Sequence, residues 1–220
     1  MTGLRKTWTE VSCPVCRHVF TYVTVSRPEP EGGQDADFCP KSLEPEILAS
    51  YIVLCPSCQF AVYQKDFHTT LSDHDRDHLR LALGARVPAT GLAPDCGAEK
   101  YRQAIRCYRV LNRKTYFLAT VHLRGSWWCR ACRDYNGERR FQEDAVALLE
   151  RALREDGQVG SDEIPVITYL IGELNRRLGR QREASEWFEQ VPDLVADTNE
   201  QKWLIDLTEQ QKELNSNTIN

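Results

Sequence analysis

The sequence predicts an α+β fold, mostly α, in which a small β module precedes a larger helical body. Paired cysteines and runs of β-branched and aromatic residues share the N-terminal quarter of the chain and place the β module there. Apolar residues then recur at helical spacing from Tyr101 almost to the end. We predict a module over residues 1–67, a helix and linker over 68–97, a helical domain over 98–214 and a frayed tail over 215–220.

The composition is that of a folded protein without a membrane segment. Of 220 residues, 41% are hydrophobic and 27% are charged, which is outside the range of disordered chains. No apolar run approaches the roughly 20 residues that a spanning helix needs, and residues 1–10 lack the apolar core of a secretory signal. Nine cysteines in such a chain indicate thiolates in a reducing compartment. We therefore expect a cytoplasmic protein that does not bind membranes.

Four cysteines form two Cys-Pro-x-Cys pairs, Cys13 with Cys16 and Cys55 with Cys58. Each short turn aims two thiolates at one point, and two such turns supply the four sulfur ligands of a closed tetrahedral zinc site. We predict a structural zinc ion bound by these four residues. The same ligands would suit iron. Buried or disulfide-bonded cysteines are the alternative without a metal.

The 38 residues that separate the two pairs, 17–54, exceed the spacing of a compact zinc finger, so they must carry structure of their own. Cys39 lies among them as a fifth candidate ligand. Because the paired cysteines already satisfy tetrahedral zinc, we predict that Cys39 is buried and binds no metal.

The module has three segments of strand composition, which are residues 19–26 (VFTYVTVS), 51–54 (YIVL) and 60–63 (FAVY). A loop rich in proline and glycine, which includes Pro28 and Pro30, follows the first of them. The other two flank the second cysteine pair and can pair with each other. Together with the two cysteine turns, this order predicts a zinc-ribbon-like layout.

A helix follows the module. Ser72, with Asp75 three residues later, is typical of a helix N-cap, and Gly84 predicts the end of that helix. Residues 86–97 contain two prolines and several small residues, which predicts a linker.

Apolar stripes predict five or six antiparallel helices after the linker. The first three stripes are Tyr101, Ile105, Tyr108 and Leu111; Leu118, Val121, Gly125, Trp128, Cys132 and Tyr135; and Phe141, Ala145, Leu148, Leu149 and Ala152. A fourth helix follows the capping cluster 161–163 and ends before Gly179. A fifth spans residues 183–191, and a sixth runs from about Thr198 to Leu214.

The last hairpin has the residue order of a tetratricopeptide-type repeat. Gly172 permits close packing, Gly179 ends the first helix, Ala184 is a small residue opposite, Phe188 fills the interface and Pro192 follows. The preceding hairpin, residues 118–153, repeats this order less closely with Gly125, Gly137, Ala145, Leu149 and Ala152. Stacked hairpins of this kind commonly present a concave surface to a peptide or a protein.

The whole chain resembles a bacterial family known as domain of unknown function 2225. The resemblance depends on CPVC at Cys13–Cys16, on the D-x-D-F stretch from Asp35 to Phe38, and on CPSCQFA from Cys55 to Ala61. It implies a zinc-ribbon-like head and a helical body, and it implies no activity. Gln59 stands where the family more often has glycine.

Two further constellations could carry chemistry. Cys129 and Cys132 form a third CxxC pair, but it lacks proline and falls inside a helical stripe, so we interpret it as packing rather than as a redox or metal site. His74 and His78 lie four residues apart on a predicted helix and resemble part of an HExxH zinc hydrolase motif, although no third ligand is identifiable.

The charge is unevenly distributed. Residues 99–140 contain eleven Lys or Arg against three Asp or Glu, whereas residues 141–220 contain eight against seventeen. A nucleic-acid surface is therefore one hypothesis, with Tyr101, Tyr108, Tyr116, Trp127 and Trp128 as candidate stacking residues. Solvated helical faces would give the same counts.

The sequence carries no P-loop, no GxSxG elbow and no dinucleotide fingerprint, so we expect no enzyme. The first hypothesis is a non-catalytic zinc-binding protein whose helical body binds a protein or peptide partner. Nucleic-acid binding through residues 99–140 is the alternative, and a zinc hydrolase at His74 and His78 is the third.

Overall fold

A computed structural model describes residues 3–27, 32–41, 43–84, 97–155, 157, 159–195 and 201–216. The predicted loop at Pro28 and Pro30, most of the predicted linker, and the predicted helix start at Thr198 lie outside these residues. The fold is α+β and mostly α, as predicted, with small antiparallel strand pairs followed by a helical body.

The head begins with a β-hairpin. Strand β1 (Arg5–Ser12) pairs antiparallel with β2 (Val19–Ser26), from Arg5 opposite Ser26 to Ser12 opposite Val19. Strand β2 confirms the prediction for residues 19–26. Strand β1 was not predicted, because most of its side chains are exposed and it lacks the in-and-out alternation that reveals a half-buried strand.

The rest of the head contains short elements. These are α1 (Pro45–Ser50), β3 (Ile52–Leu54), β4 (Ala61–Tyr63), α2 (Gln64–Phe67) and α3 (Asp73–Leu83). Strands β3 and β4 pair antiparallel around the second cysteine turn, as predicted.

Helix α3 also has the predicted ends. The Ser72 side chain accepts a hydrogen bond from the Asp75 N–H at its start, and Gly84 adopts a φ of 67° at its end.

Seven helices form the part of the body that the structure describes. They are α4 (Gly97–Val110), α5 (Thr115–Ala131), α6 (Tyr135–Arg154), α7 (Ile164–Arg177), α8 (Gln181–Phe188), α9 (Val191–Leu194) and α10 (Lys202–Ser216). No helix in the described ranges has the length and apolar character that crossing a membrane requires.

Several predicted helix boundaries were wrong. Gly97 belongs to α4 rather than to the linker, and Tyr135 begins α6, where it is exposed, because the chain reverses at residues 132–134. The predicted fifth helix is divided into α8 and α9, since Pro192 lacks the N–H that would continue it. Asn215 is not frayed; it lies in α10, is buried, and donates a hydrogen bond to the Gln181 carbonyl.

Within the described ranges, three helices end in the same kind of turn. A residue with positive φ follows α4, α5 and α7, namely Asn112, Arg133 and Gly179 respectively. After α7, for example, the N–H of Gly179 bonds the Arg176 carbonyl at 3.0 Å and the next N–H reaches back to Asn175 at 2.9 Å. This bond pair is the Schellman motif, and it reverses the chain within a few residues.

Close glycine–phenylalanine contacts join the helices of both predicted hairpins. A Cβ atom added to Gly125 would lie 2.7 Å from the Phe141 ring, and one added to Gly172 would lie 2.6 Å from the Phe188 ring. Phe188 therefore fills the interface as predicted. Gly137 does not form a turn; it lies in the first turn of α6, where its N–H bonds the Asp134 side chain.

The head and the body share one hydrophobic core. Tyr108 of α4 is fully buried against β4, and its hydroxyl accepts a hydrogen bond from the Tyr63 N–H at 2.7 Å. The Tyr101 hydroxyl, two turns earlier, donates to the Leu48 carbonyl at 2.9 Å. Helix α4 thus holds the strands in place while it begins the helical stack.

Candidate metal centre

The four paired cysteines meet at one point between the two β-hairpins. Their sulfur atoms all lie within 4.8 Å of one another. The Cys13 and Cys58 sulfurs are 3.7 Å apart, as are those of Cys16 and Cys55. Tetrahedral zinc with Zn–S bonds of about 2.3 Å requires sulfur–sulfur separations of roughly 3.8 Å. The residues therefore fit a tetrathiolate metal site.

The first cysteine turn is built from backbone hydrogen bonds. The Cys13 N–H donates to the His18 carbonyl at 2.9 Å, and the Arg17 N–H donates to the Cys13 carbonyl at 2.9 Å. The turn closes only because Arg17 adopts a φ of 66°, in the left-handed region. Between its two cysteines, Val15 is fully buried in the shared core.

The second turn repeats this geometry. The Cys55 N–H donates to Phe60 at 2.8 Å, and the Gln59 N–H donates to the Cys55 carbonyl at 3.0 Å. Gln59 has a φ of 64°. Glycine usually occupies such a position, because it has no Cβ atom. Here Gln59 adopts the same backbone conformation at the cost of steric strain.

Hydrogen bonds among the cysteine side chains shift the pKa values of their thiols. The hydrogen bond from the Cys13 thiol lowers the pKa of Cys55 to about 2, and a second bond from Cys58 and the N–H groups of residues 57 and 58 act in the same direction. Donating that bond raises the pKa of Cys13 to about 12. The pKa of Cys58 is also raised, because its thiol donates to Cys13 and Cys55. A divalent cation would replace the shared protons.

Helix α3 covers the first turn with two arginines. Arg76 donates to the Pro14 carbonyl at 3.2 Å, and Arg80 donates twice to the Val15 carbonyl, at 3.2 and 3.0 Å. Each guanidinium also pairs with a carboxylate of the same helix, Arg76 with Asp73 and Arg80 with Asp77. The two arginines therefore hold the first cysteine turn through its carbonyl groups.

The predicted histidine pair faces away from this contact. His74 and His78 are exposed, with ring centroids 3.9 Å apart. In the described parts of the chain, the cysteine cluster is the only group of three or more His, Cys, Asp or Glu side chains with metal-ligand spacing. The residue of the HDRDH segment that contacts the protein core is Arg76.

The remaining cysteines lie elsewhere. Cys39 is buried, outside the cluster, and its thiol points to the Pro40 carbonyl at 3.7 Å. Burial raises the pKa of Cys39 to about 12. No disulfide joins any of the eight cysteines in the described residues.

The prediction that Cys129 and Cys132 both lie inside a helix was wrong. Cys129 is buried, whereas Cys132 is exposed at the C-terminal end of α5. Burial and the nearby Asp134 carboxylate raise the pKa of Cys129 to about 12. A helix C-terminus also disfavours a thiolate, so this pair lacks the environment of a reactive dithiol.

The acidic loop between the cysteine pairs forms a second centre, which the sequence did not reveal. Asp37 is fully buried, and its carboxylate pairs with Arg130 of α5. The same carboxylate accepts a hydrogen bond from the Trp127 indole N–H at 3.1 Å and lies 3.6 Å from Arg177 of α7. Arg130 also pairs with Asp35 at 3.0 Å. This acidic clasp, Asp35 and Asp37 on Arg130 and Arg177, fastens the head to two body helices.

Phe38 completes the attachment. It adopts a φ of 65°, and its ring packs against Tyr169 at 5.5 Å and Trp203 at 6.1 Å between centroids. The Tyr169 hydroxyl donates to the Ala36 carbonyl at 2.9 Å. The D-x-D-F stretch was the available signal for this contact, although its partners lie 90 or more residues away.

The aromatic residues of the basic segment do not form a stacking platform. Tyr101, Tyr108 and Trp127 are buried, and Tyr116 and Trp128 are half-buried. The stacking role proposed for the first three was therefore wrong, because all three fill the core.

A family model described as "Uncharacterized protein conserved in bacteria (DUF2225)" matches residues 7–215, nearly the whole chain, which confirms the resemblance noted above. The comparisons with curated proteins and with solved structures gave no match.

Proposed function

We propose that this chain, which belongs to the bacterial family DUF2225, is a non-catalytic zinc-binding protein whose helical body binds a protein or peptide. The observation that carries the proposal is the closed set of four cysteine sulfurs within 4.8 Å of one another. Structural zinc sites have four protein ligands, whereas catalytic sites keep one position for water or substrate. Such a site stabilises a fold and performs no reaction.

Zinc is the metal that this proposal names, and the cytoplasm is the location. Tetrahedral Cys₄ sites in ribbon-like modules are typical zinc sites, although iron uses the same ligands. The cysteines must remain reduced to bind a metal, which a reducing compartment ensures.

The helical body supports the interaction role through its hairpins. Gly125 and Phe141 are separated by the same number of residues as Gly172 and Phe188, and each glycine packs against the ring of its phenylalanine. We infer two tetratricopeptide-like hairpins from this recurrence. Repeats of that type bind peptides and proteins on their exposed faces.

The last helix supplies an exposed apolar surface for such a partner. Trp203 and Leu214 of α10 are 45% and 48% exposed, and a spacing of eleven residues places them on one side of a helix. They lie about 16 Å apart along the helix, so they mark the two ends of one exposed face, and Trp203 also contacts Phe38.

Metal content by elemental mass spectrometry tests the first half of the proposal. We expect one zinc per full-length chain, its loss in Cys13→Ser/Cys55→Ser, and its retention in His74→Ala/His78→Ala. A metal that survives the cysteine changes and leaves with the histidines would overturn the proposal and favour the hydrolase hypothesis.

The partner surface is tested with the full-length, zinc-loaded protein. Captured proteins are purified and titrated against the wild type, against Trp203→Ser/Leu214→Ser, and against Leu81→Ser, which changes an exposed leucine on α3. We expect saturable binding that weakens at least tenfold only in the α10 variant. Equal binding by all three proteins would refute a partner site on this surface.

A further inference from the structure

A cavity of about 440 Å³ opens where the head meets α5. Aromatic side chains from the acidic loop, from the strands and from α5 line it, and they include Phe38, Tyr51, Tyr63 and Trp127. Among the described residues, its lining contains two cationic side chains, Lys65 and Arg124, and no carboxylate. The volume is that of a small-molecule site, and the lining is apolar and positively charged.

Arg124 is the unusual residue in this cavity. It is half-buried, and no ion pair joins it to a carboxylate in the part of the chain that the structure describes. Arg130, two turns later on the same helix, pairs with three carboxylates. A partly buried guanidinium without an anion is rare, because burial removes water that would otherwise solvate its charge.

The neighbours of Arg124 are phenol rings. Its guanidinium carbon lies 5.2 Å from the centroid of the Tyr63 ring, an arrangement that holds the cation in place without neutralising it. Burial lowers the pKa of Arg124, but the nearby Tyr63, Tyr101 and Tyr51 side chains outweigh it, so that the pKa is raised and the charge is retained.

Tyr63 contributes a second group. The residue is more than nine-tenths buried, and its hydroxyl oxygen accepts from the Arg124 guanidinium. The hydroxyl proton has no acceptor among the described residues. Buried hydroxyl groups are normally paired, and a carboxylate at Arg124 would supply that acceptor. The cavity thus combines a cation without an anion and an O–H proton without an acceptor.

We infer that this cavity binds an organic carboxylate carried on an apolar ring. Arg124 and the Tyr63 hydroxyl bind the carboxylate, since a guanidinium donates two parallel hydrogen bonds to such a group. The rings of Trp127 and Phe38 contact the apolar part. The carboxylate belongs either to a small molecule or to the C-terminus of a peptide, because both present the same chemistry.

Calorimetric titration of the full-length, zinc-loaded protein tests this site. The probes are indole-3-acetate and its neutral isostere indole-3-acetamide. We expect saturable binding of the acid with an affinity at least tenfold higher than that of the amide. Equal affinities, or no binding of the acid at millimolar concentration, would overturn the inference.

Variants assign the binding to named groups. Arg124→Gln is expected to weaken acid binding at least tenfold, and Tyr63→Phe to weaken it several-fold. Arg139→Gln removes the same charge from an exposed position on α6 and should leave the affinity unchanged. An equal loss in Arg124→Gln and Arg139→Gln would show nonspecific attraction and refute the site.

Zinc content and circular dichroism establish that each variant is folded. If Arg124→Gln does not fold, Arg124→Lys keeps the charge and loses the paired donors, and it should weaken acid binding while binding of the amide stays the same. Unchanged acid binding in Arg124→Lys would contradict the role of the guanidinium.

The source of the carboxylate is identified with tetrapeptides that end in phenylalanine, either as the free acid or as the amide. Tighter binding of the free-acid peptide than of indole-3-acetate supports the site with a chain terminus as its ligand. Binding of indole-3-acetate alone supports the site with a small molecule as its ligand.

Discussion

The head and the body of this protein are stabilised in opposite ways. In its described residues the head has two hairpins, of which β1 is largely exposed and β3 and β4 are largely buried, and its two cysteine turns converge on four sulfur atoms. The body has long helices whose glycines admit buried phenylalanine rings, as at Gly172 and Phe188. A small module buries little apolar area of its own, so a metal bound by these sulfur atoms would add the stability that it lacks. The body gains the same stability from close packing.

The boundary between the head and the body is held together in a third way, by buried ion pairs. The acidic clasp joins them through fully buried Asp37 and the guanidinium of Arg130. Buried ion pairs add little net stability compared with apolar packing, but they are costly to break on one side. The clasp therefore specifies how head and body are attached more than it stabilises either of them.

The largest expected effect separates the head from the body. Cys55→Ser should abolish metal binding and cost most of the metal's contribution to folding, which is roughly 10 kcal/mol in zinc-dependent peptides. Far-UV circular dichroism should retain most of the helical signal. Elemental analysis and thermal melting measure both effects.

Cys39→Ser is the matched control for Cys55→Ser, because it changes a buried cysteine outside the cluster. This variant should keep one metal per chain. Loss of the metal from Cys39→Ser would show that the fifth cysteine belongs to the site.

The next largest effect concerns the boundary. Asp37→Asn keeps the shape of the side chain but leaves Arg130 and Arg177 without the carboxylate that faces both, so unfolding free energy should fall by about 3–5 kcal/mol. Asp35 is partly exposed, and Asp35→Asn should cost about 1 kcal/mol or less. Chemical denaturation monitored by tryptophan fluorescence compares the two variants, and similar losses for both would contradict a clasp centred on Asp37.

An acid-sensitive group distinguishes the body from the metal site. His122 of α5 is buried, with both ring nitrogens lacking hydrogen-bond partners among the described residues, and burial lowers its pKa from 6.5 to about 4. The cation of Arg109 acts in the same direction, while the largely exposed Asp144 carboxylate lies 3.4 Å from Nδ1.

As the pH falls, His122 is protonated in the unfolded chain before it is protonated in the folded protein. The stability that neutral His122 preserves should therefore be fully present above pH 6.5 and decline as the pH falls from 6.5 to 4. The His122 contribution to that loss is about 3 kcal/mol. Between pH 6.5 and 4, the unfolding free energy of His122→Leu should fall by about 3 kcal/mol less than that of the wild type. Parallel pH profiles for the wild type and the variant would refute the assignment.

The smallest effect lies within the cysteine turns. Gln59→Gly relieves left-handed strain of about 1–2 kcal/mol and adds about 0.5–1 kcal/mol of chain entropy to the unfolded state, so a net gain of roughly 0.5–1 kcal/mol is expected. Ser57→Gly, at a residue of the same turn without positive φ, should reduce stability by a similar amount. Denaturation of the zinc-loaded proteins measures both changes, and a loss of stability in Gln59→Gly would mean that its side chain contributes more than the strain costs.

The sequence revealed the metal site because its signal is local. Two residues between cysteines define each turn, and only the meeting of Cys13–Cys16 with Cys55–Cys58 had to be inferred. The acidic clasp depends on contacts between residues 93 positions apart, such as Arg130 with Asp37. No spacing within the sequence encodes such a contact, so the clasp could be found only in three dimensions.

Helix existence was similarly easier to predict than helix ends. The apolar stripe from Leu118 to Tyr135 continues at helical spacing through the turn at Arg133, so the sequence did not show that a helix ends there. Arg133 has a positive φ, but an arginine, unlike Gly179, does not indicate such a turn in the sequence. Strand β1 was missed since exposure removes the alternation that burial imposes.

The position of the acidic loop between the cysteine pairs has a consequence for the order of assembly. A metal that joins Cys16 to Cys55 closes a loop of about 40 residues and removes roughly 4 kcal/mol of unfolded-chain entropy. Asp37 lies inside that loop, so the search that brings it to Arg130 starts from a shortened, tethered chain. The supply of metal in the cell should therefore govern both the folding of the head and the rate at which the head attaches to the helical body.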